Sequence, residues 1–212
     1  MAQTTQPADF VKKLADGKPQ RIVCYGTSLT EGGAWVKQLQ EALEKAYPKL
    51  ATVINSGGSG QASRWGVENV QKKVVDQKPD VVFIEFAVND SVERFNLSVE
   101  EAQKNLEKII DTILKSNSNA QIILQIMNPV IERPAGHSGH RPNLPAYWEM
   151  YRQVGKDRKL IVIDHSIAWQ KLLDKGVDEY KKFVPDGLHP AAPGYAKFVM
   201  PTIVKQLGIK KD

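Results

Sequence analysis

Residues 22–30 read Ile22-Val23-Cys24-Tyr25-Gly26-Thr27-Ser28-Leu29-Thr30. An apolar run this short and unbroken suits a strand covered on both faces of a parallel sheet. Gly26 permits a tight turn where the run stops, and Ser28 then stands at the mouth of the strand. Comparable runs recur at residues 52–55, 81–85, 121–126 and 160–163.

Between these runs the apolar period becomes that of a helix. The clearest case is residues 99–115, where Ala102, Leu106, Ile109, Ile110, Ile113 and Leu114 share one face. Ser98 and Glu101 have capping-box spacing at its start. Further helices are expected at residues 35–46, 63–76, 145–155, 167–174 and 193–206. This alternation predicts an α/β sandwich with right-handed crossovers. Two stretches break the rhythm: 127–144, rich in Pro, Gly, His and Arg, and 176–190. Irregular segments of such length are often functional, and parallel sheets bind ligands beyond the carboxyl ends of their strands.

The chain has 212 residues, 42% hydrophobic and 25% charged, an ordinary globular balance. That length suits one domain over 1–212, with a leader and first helix in 1–18. Cys24 is the only cysteine, which excludes an intrachain disulfide and a cysteine-based zinc cluster. No apolar run approaches the roughly 18–20 residues of a membrane helix. Lys and Arg number 29 against 24 Asp and Glu, a net charge of +5, but the lysines are dispersed. Without a basic stripe or a recognisable motif, nucleic acid is not an expected partner. Residues 1–7 are polar and lack the apolar core of a signal peptide. Such a leader is also what remains once a signal is removed, so the expectation leans to export, with the cytoplasm as the alternative.

Four segments carry groups suited to chemistry. Ser28 follows the first strand and offers a hydroxyl. The second strand runs into Asn55-Ser56-Gly57-Gly58-Ser59-Gly60-Gln61, a turn rich in backbone N–H groups that suits an anion or a developing oxyanion. This turn lacks the lysine of a phosphate-binding loop, and Ser63 stands where a dinucleotide fingerprint needs its third glycine. Asn89 places a side-chain amide after the third strand. Finally, Asp186-Gly187-Leu188-His189 brings a carboxylate within three residues of an imidazole, bracketed by Pro185 and Pro190. Asp90 and Asp164 are alternative carboxylates, but no short spacing ties either to His189.

In this order and spacing, from Ile22 to Pro190, the four segments resemble the blocks of the SGNH-hydrolase superfamily, the GDSL-type esterases and lipases. The family's signature letters fall on Ser28, Gly60, Asn89 and His189, with Asp186 three residues before the histidine. The resemblance implies a three-layer α/β/α sandwich on a five-stranded parallel sheet of flavodoxin-like order. It also implies ester or thioester hydrolysis without cofactor or metal. Two positions depart from the pattern: Thr27 replaces the usual Asp, and Ala87 replaces the usual Gly of the third block. Neither change removes a proton-transfer or donor group. The α/β-hydrolase elbow Gly-x-Ser-x-Gly is absent.

With the family's roles carried over, Ser28 is the nucleophile, His189 the base and Asp186 its orienting carboxylate. The N–H groups of Ser28 and Gly60 and the Asn89 amide form the oxyanion hole. Core packing is the default for Trp35, Trp65, Trp148 and Trp169 on their helices, with Trp35 and Trp65 as candidates to border the pocket. Asn128 is a candidate substrate contact, and His137 and His140 are solvated or substrate-contacting loop histidines. His137 and His140 as metal ligands form a thin rival reading, and helix capping is the expected context of His165. The polar loop Asn128–Asn143 favours a small acyl group, such as acetyl, on a carbohydrate or another polar carrier. A long-chain lipase instead needs an apolar groove. A lysophospholipase or thioesterase is the alternative, and a non-catalytic carbohydrate-binding relative the alternative of another class.

Overall fold

Each apolar run forms a strand: β1 (Gln20–Gly26), β2 (Ala51–Asn55), β3 (Val81–Glu85), β4 (Gln121–Ile126) and β5 (Ile161–Asp164). The computed structural model describes residues 8–210, so the polar leader 1–7 and residues 211–212 lie outside the described residues. All strand pairs are parallel, in the order β2-β1-β3-β4-β5. Side chains alternate through the sheet. Ile22 and Cys24 of β1 and Val81 and Phe83 of β3 enter one core, while Val23, Tyr25, Val82 and Ile84 enter the other. Both faces are therefore dry, which is why these runs read as continuously apolar.

The helices are α1 (Asp9–Ala15), α2 (Ser28–Glu31), α3 (Ala34–Ala46), α4 (Ser63–Lys73), α5 (Ala87–Asp90), α6 (Val99–Ser116), α7 (Leu144–Asp157), α8 (Ser166–Leu173), α9 (Val177–Lys181), α10 (Ala192–Gly194) and α11 (Met200–Leu207). One layer holds α1, α3, α8 and α11, and the other α4, α6 and α7. In α6 the apolar face buries Leu106, Ile109, Ile110 and Ile113, each stabilising by roughly 1.5–3 kcal/mol on leaving water. Ser98 Oγ accepts the Glu101 N–H at 3.2 Å, half of the expected capping box.

Three features differ from expectation beyond shifts of a residue or two at element ends. The helix from residue 63 ends at Lys73, because Val74 leaves the helical region (φ −122°), and a 3-10 turn follows at Val75–Gln77. The C-terminal helix contains a π turn, Tyr195–Val199. Pro201 lies just beyond it and cannot donate to the carbonyl one turn back, so the wider turn accommodates the missing bond. The irregular stretch 176–190 holds α9.

The winding reverses between β1 and β3, which are neighbours although β2 intervenes in sequence. Ligands bind in the crevice at such a switch point. Gly26 and Glu85 are register partners there, and Ser28 and Asn89 follow directly.

Candidate active site

Ser28 is the first residue of α2, and its neighbours fix the turn. Thr27 Oγ1 accepts the Leu29 N–H at 3.2 Å as N-cap. The Thr27 N–H donates to Glu85 Oε1 at 2.7 Å, the Thr27 hydroxyl lies 3.0 Å from the same oxygen, and the Thr30 hydroxyl donates to it at 2.7 Å. A Cβ at Gly26 would overlap the Glu85 carboxylate, so the position needs glycine. Burial pushes the Glu85 carboxyl up to about 7, against the pull of these donors.

Ser28 Oγ lies 2.8 Å from His189 Nε2, and His189 Nδ1 lies 2.6 Å from Asp186 Oδ2. Asp186 Oδ1 accepts the N–H groups of Leu188 at 2.9 Å and His189 at 2.7 Å. Partial burial raises the Asp186 pKa, but the His189 ring and these N–H groups outweigh it and hold the carboxyl below its usual range. Gly187 has φ +82°, its carbonyl accepts the Ile131 N–H at 2.8 Å, and Arg133 Nη2 donates to Asp186 O at 3.1 Å. The His189 and Asp186 side chains are 44% and 53% exposed, so the chain of groups lies open to solvent.

The 55–61 turn is tied to the same edge. The Gly58 N–H donates to Gly26 O at 2.9 Å, and the Ser59 N–H donates to Glu31 Oε2 at 2.9 Å. Gly60 adopts φ +72°, where a side chain would be strained. Asn89, on α5, donates from Nδ2 to Gln61 O at 2.9 Å, while its Oδ1 faces Arg141 Nη2 at 3.4 Å. The edge thus assembles Ser28, Asp186 and His189, and joins Asn89 to the glycine turn through Gln61.

Other expected residues lie elsewhere. Trp35 is fully buried against Phe83, with Nε1 donating to Leu29 O, and does not border the site. Asn128 is 1% exposed and cannot meet a substrate. Its Nδ2 donates to Leu188 O at 2.9 Å and to Tyr180 Oη at 3.1 Å, holding the Asp186–His189 loop from beneath. Trp65 is half-buried and packs on Gly58 and Tyr25, behind the glycine turn. His137 is exposed, and its Nδ1 accepts the Gly139 N–H. His140 Nδ1 lies 2.6 Å from Arg133 O and 2.8 Å from Glu132 Oε1, and these contacts raise its pKa.

The alternative carboxylates are engaged away from His189. Asp90 Oδ1 accepts the Ser63 N–H at 2.7 Å, and Asp164 pairs with Arg152 at 2.7 Å. His165 stands at the N-cap position of α8, as expected, but its buried ring lies on Gln125 and makes no cap bond; Asp164 accepts the Ser166 N–H instead. Sequence reasoning missed Glu85, Arg141 and Tyr180. A carboxylate closing an apolar strand was the available signal for Glu85; nothing local marked the other two.

A hydroxyl, imidazole and carboxylate in line can pass a proton from the hydroxyl to the ring and stabilise the cation that forms. Residues 24–197 match the GDSL-like Lipase/Acylhydrolase family. An arylesterase of Vibrio mimicus is 26% identical over 212 residues, covering 93% of this chain and 95% of the relative. A GDSL esterase/lipase of Arabidopsis thaliana is 25% identical, covering 82% of this chain and 79% of the relative. Among solved structures, Axe2, an acetylxylan esterase from Geobacillus stearothermophilus, superposes with a TM-score of 0.75 at 20% identity, covering 91% of this chain and 96% of that one. The fold is that of these hydrolases, and the chain belongs to the GDSL-like lipase/acylhydrolase family as a carboxylic ester hydrolase.

Proposed function

We propose that Ser28, His189 and Asp186 hydrolyse small acyl esters, acetyl foremost, carried on a carbohydrate or another polar group. The observation that carries the reading is the continuous line from Ser28 Oγ through the His189 ring to Asp186, at 2.8 and 2.6 Å. With Nδ1 protonated toward Asp186, Nε2 accepts the hydroxyl proton as Ser28 Oγ attacks the ester carbonyl. The N–H groups of Ser28 and Gly60 and the second Asn89 amide hydrogen hold the oxyanion. His189 then protonates the leaving alcohol. Water repeats the sequence on the acyl-enzyme and releases the acid.

The substrate class rests on surface chemistry. Residues 132–138, in the loop beside the Asp186–His189 segment, are exposed, and the triad itself stands open. A long acyl chain needs an apolar channel to bury it, whereas a polar carrier can dock on such a surface. The relative named an arylesterase and the fold neighbour named an acetylxylan esterase support a small acyl group. A p-nitrophenyl ester series from acetyl to palmitoyl, followed by acetylated sugars, tests it. Acetyl to butyryl esters turn over fastest on this reading. A preference for ten carbons or more overturns it in favour of a lipase or lysophospholipase.

A further inference from the structure

Arg141 is 8% exposed, although residues 132–138 and 142–143 of the same loop between β4 and α7 are exposed. Its Nε donates to Val88 O at 2.7 Å, Nη1 to Gly139 O at 2.8 Å, and Nη2 faces Asn89 Oδ1 at 3.4 Å. Among the described residues, none of its guanidinium bonds goes to a carboxylate. Glu132 directs Oε1 to the Arg141 backbone N–H and to the His140 ring instead. A buried cation with no carboxylate bonded to it is costly, and burial depresses the Arg141 pKa although the charge of Glu132 opposes the shift.

The Asn89 amide is gripped at both ends. Nδ2 donates to Gln61 O and Oδ1 faces the guanidinium. Reversing the amide would set donor against donor at Arg141, so Arg141 fixes which end carries the hydrogens. An amide nitrogen has two hydrogens; Gln61 takes one and the other is left for a ligand.

We infer that Arg141 is a positioning residue for the hydrolysis. It locks the Asn89 amide with its N–H toward the reacting carbonyl, and its charge, offset only in part by Glu132, is further answered by the negative charge that develops on the substrate oxygen. This inference rests on the site assigned above to Ser28 and Asn89. No proton or bond at Arg141 changes during the reaction. The oxyanion exists only near the transition state, so the effect falls on kcat and leaves KM nearly untouched.

The test uses the full chain with p-nitrophenyl acetate. Arg141→Met is expected to lower kcat about ten- to hundredfold, less than the 10²–10³ typical of losing a direct donor. KM is expected to stay within about threefold. Arg141→Lys retains the charge and is expected to recover part of the loss, and guanidinium salt to restore part of the activity of Arg141→Ala. Because Arg141 acts through Asn89, the double variant with Asn89→Ala is expected to fall little below Asn89→Ala alone. A folded Arg141→Met with kcat within threefold of the parent overturns the inference, as do losses that simply multiply in the double variant. If Arg141→Met does not fold, Arg141→Lys decides: normal kcat with raised KM overturns the inference, and reduced kcat with normal KM supports it. Wild-type turnover that survives Ser28→Ala would instead strike the underlying site, and the inference with it.

Discussion

Thr27, the residue before Ser28, donates its backbone N–H at 2.7 Å to Glu85, the last residue of β3, and its hydroxyl lies 3.0 Å from the same carboxylate. The pair joins β1 to β3 at the reversal of the sheet, directly beneath the serine turn. The family pattern that the sequence resembles has an aspartate where this chain has Thr27. Beside a buried Glu85, a second carboxylate would face like charge, whereas a threonine hydroxyl supplies a donor. The departure noted in the sequence is thus matched by a partner on the neighbouring strand.

Glu85 gives a pH signature. Burial lifts its carboxyl to about 7, and that of Asp90 also to about 7, both above their unfolded values. The folded chain therefore holds these protons more tightly, and the stability they contribute is complete below about pH 4 and lost as pH rises through 7. The melting temperature is expected to fall between pH 5 and pH 8. Glu85→Gln removes the Glu85 share of that slope. Its amide oxygen can still accept the Thr27 N–H and the Thr30 hydroxyl, while Nε2 takes the place of Oε2 beside the Thr27 hydroxyl. Melting curves of both proteins should therefore differ in their dependence on pH across this range; parallel pH profiles would contradict the assignment.

On the proposed mechanism, Asn89→Ala removes one of three oxyanion donors. The expected loss is about 10²–10³ in kcat, or roughly 2.7–4 kcal/mol, with KM little changed. Its contacts to Gln61 and Arg141 mean that thermal stability falls as well. Steady-state kinetics and melting on the same sample separate the two effects. A stability loss with kcat within threefold removes Asn89 from the chemistry.

Asn128 acts from below. Its Nδ2 reaches Leu188 O, Pro129 O and Tyr180 Oη, and Tyr180 in turn donates to Pro129 O. Asn128→Ala leaves buried acceptors unpaired and is expected to cost roughly 1–3 kcal/mol in urea unfolding. Its kcat is expected to drop because the segment carrying His189 loosens. Full activity in a destabilised Asn128→Ala would show that the loop keeps its geometry without this anchor.

The sheet was legible because burial on both faces leaves an unbroken apolar run, and the period of α6 because one face alone is wet. The Ser28, Asp186 and His189 positions were legible from turn chemistry and a short spacing. What failed was side-chain direction. Trp35 follows the serine turn closely in sequence, yet only its default reading as a core residue holds: at the start of α3 it packs on Phe83 and not on the pocket. Asn128 follows β4 at the binding edge, yet points under the edge rather than out of it. Arg141 reads as one more polar loop residue because its partners, Val88 and Asn89, lie more than fifty residues away. Pro201 was visible in the sequence, but a π turn can absorb a proline that a regular helix could not.

The account stands most directly on Ser28. Intact-mass measurement after treatment with a fluorophosphonate, paired with p-nitrophenyl acetate turnover, tests it in the wild type and in Ser28→Ala. The wild type is expected to gain one phosphonyl group, mapped to Ser28, and to lose activity in step. Ser28→Ala is expected to remain unlabelled and folded, with turnover reduced by at least about 10³. Labelling of Ser28→Ala at another serine, or turnover within tenfold of wild type, would contradict the central claim and turn attention to Ser59.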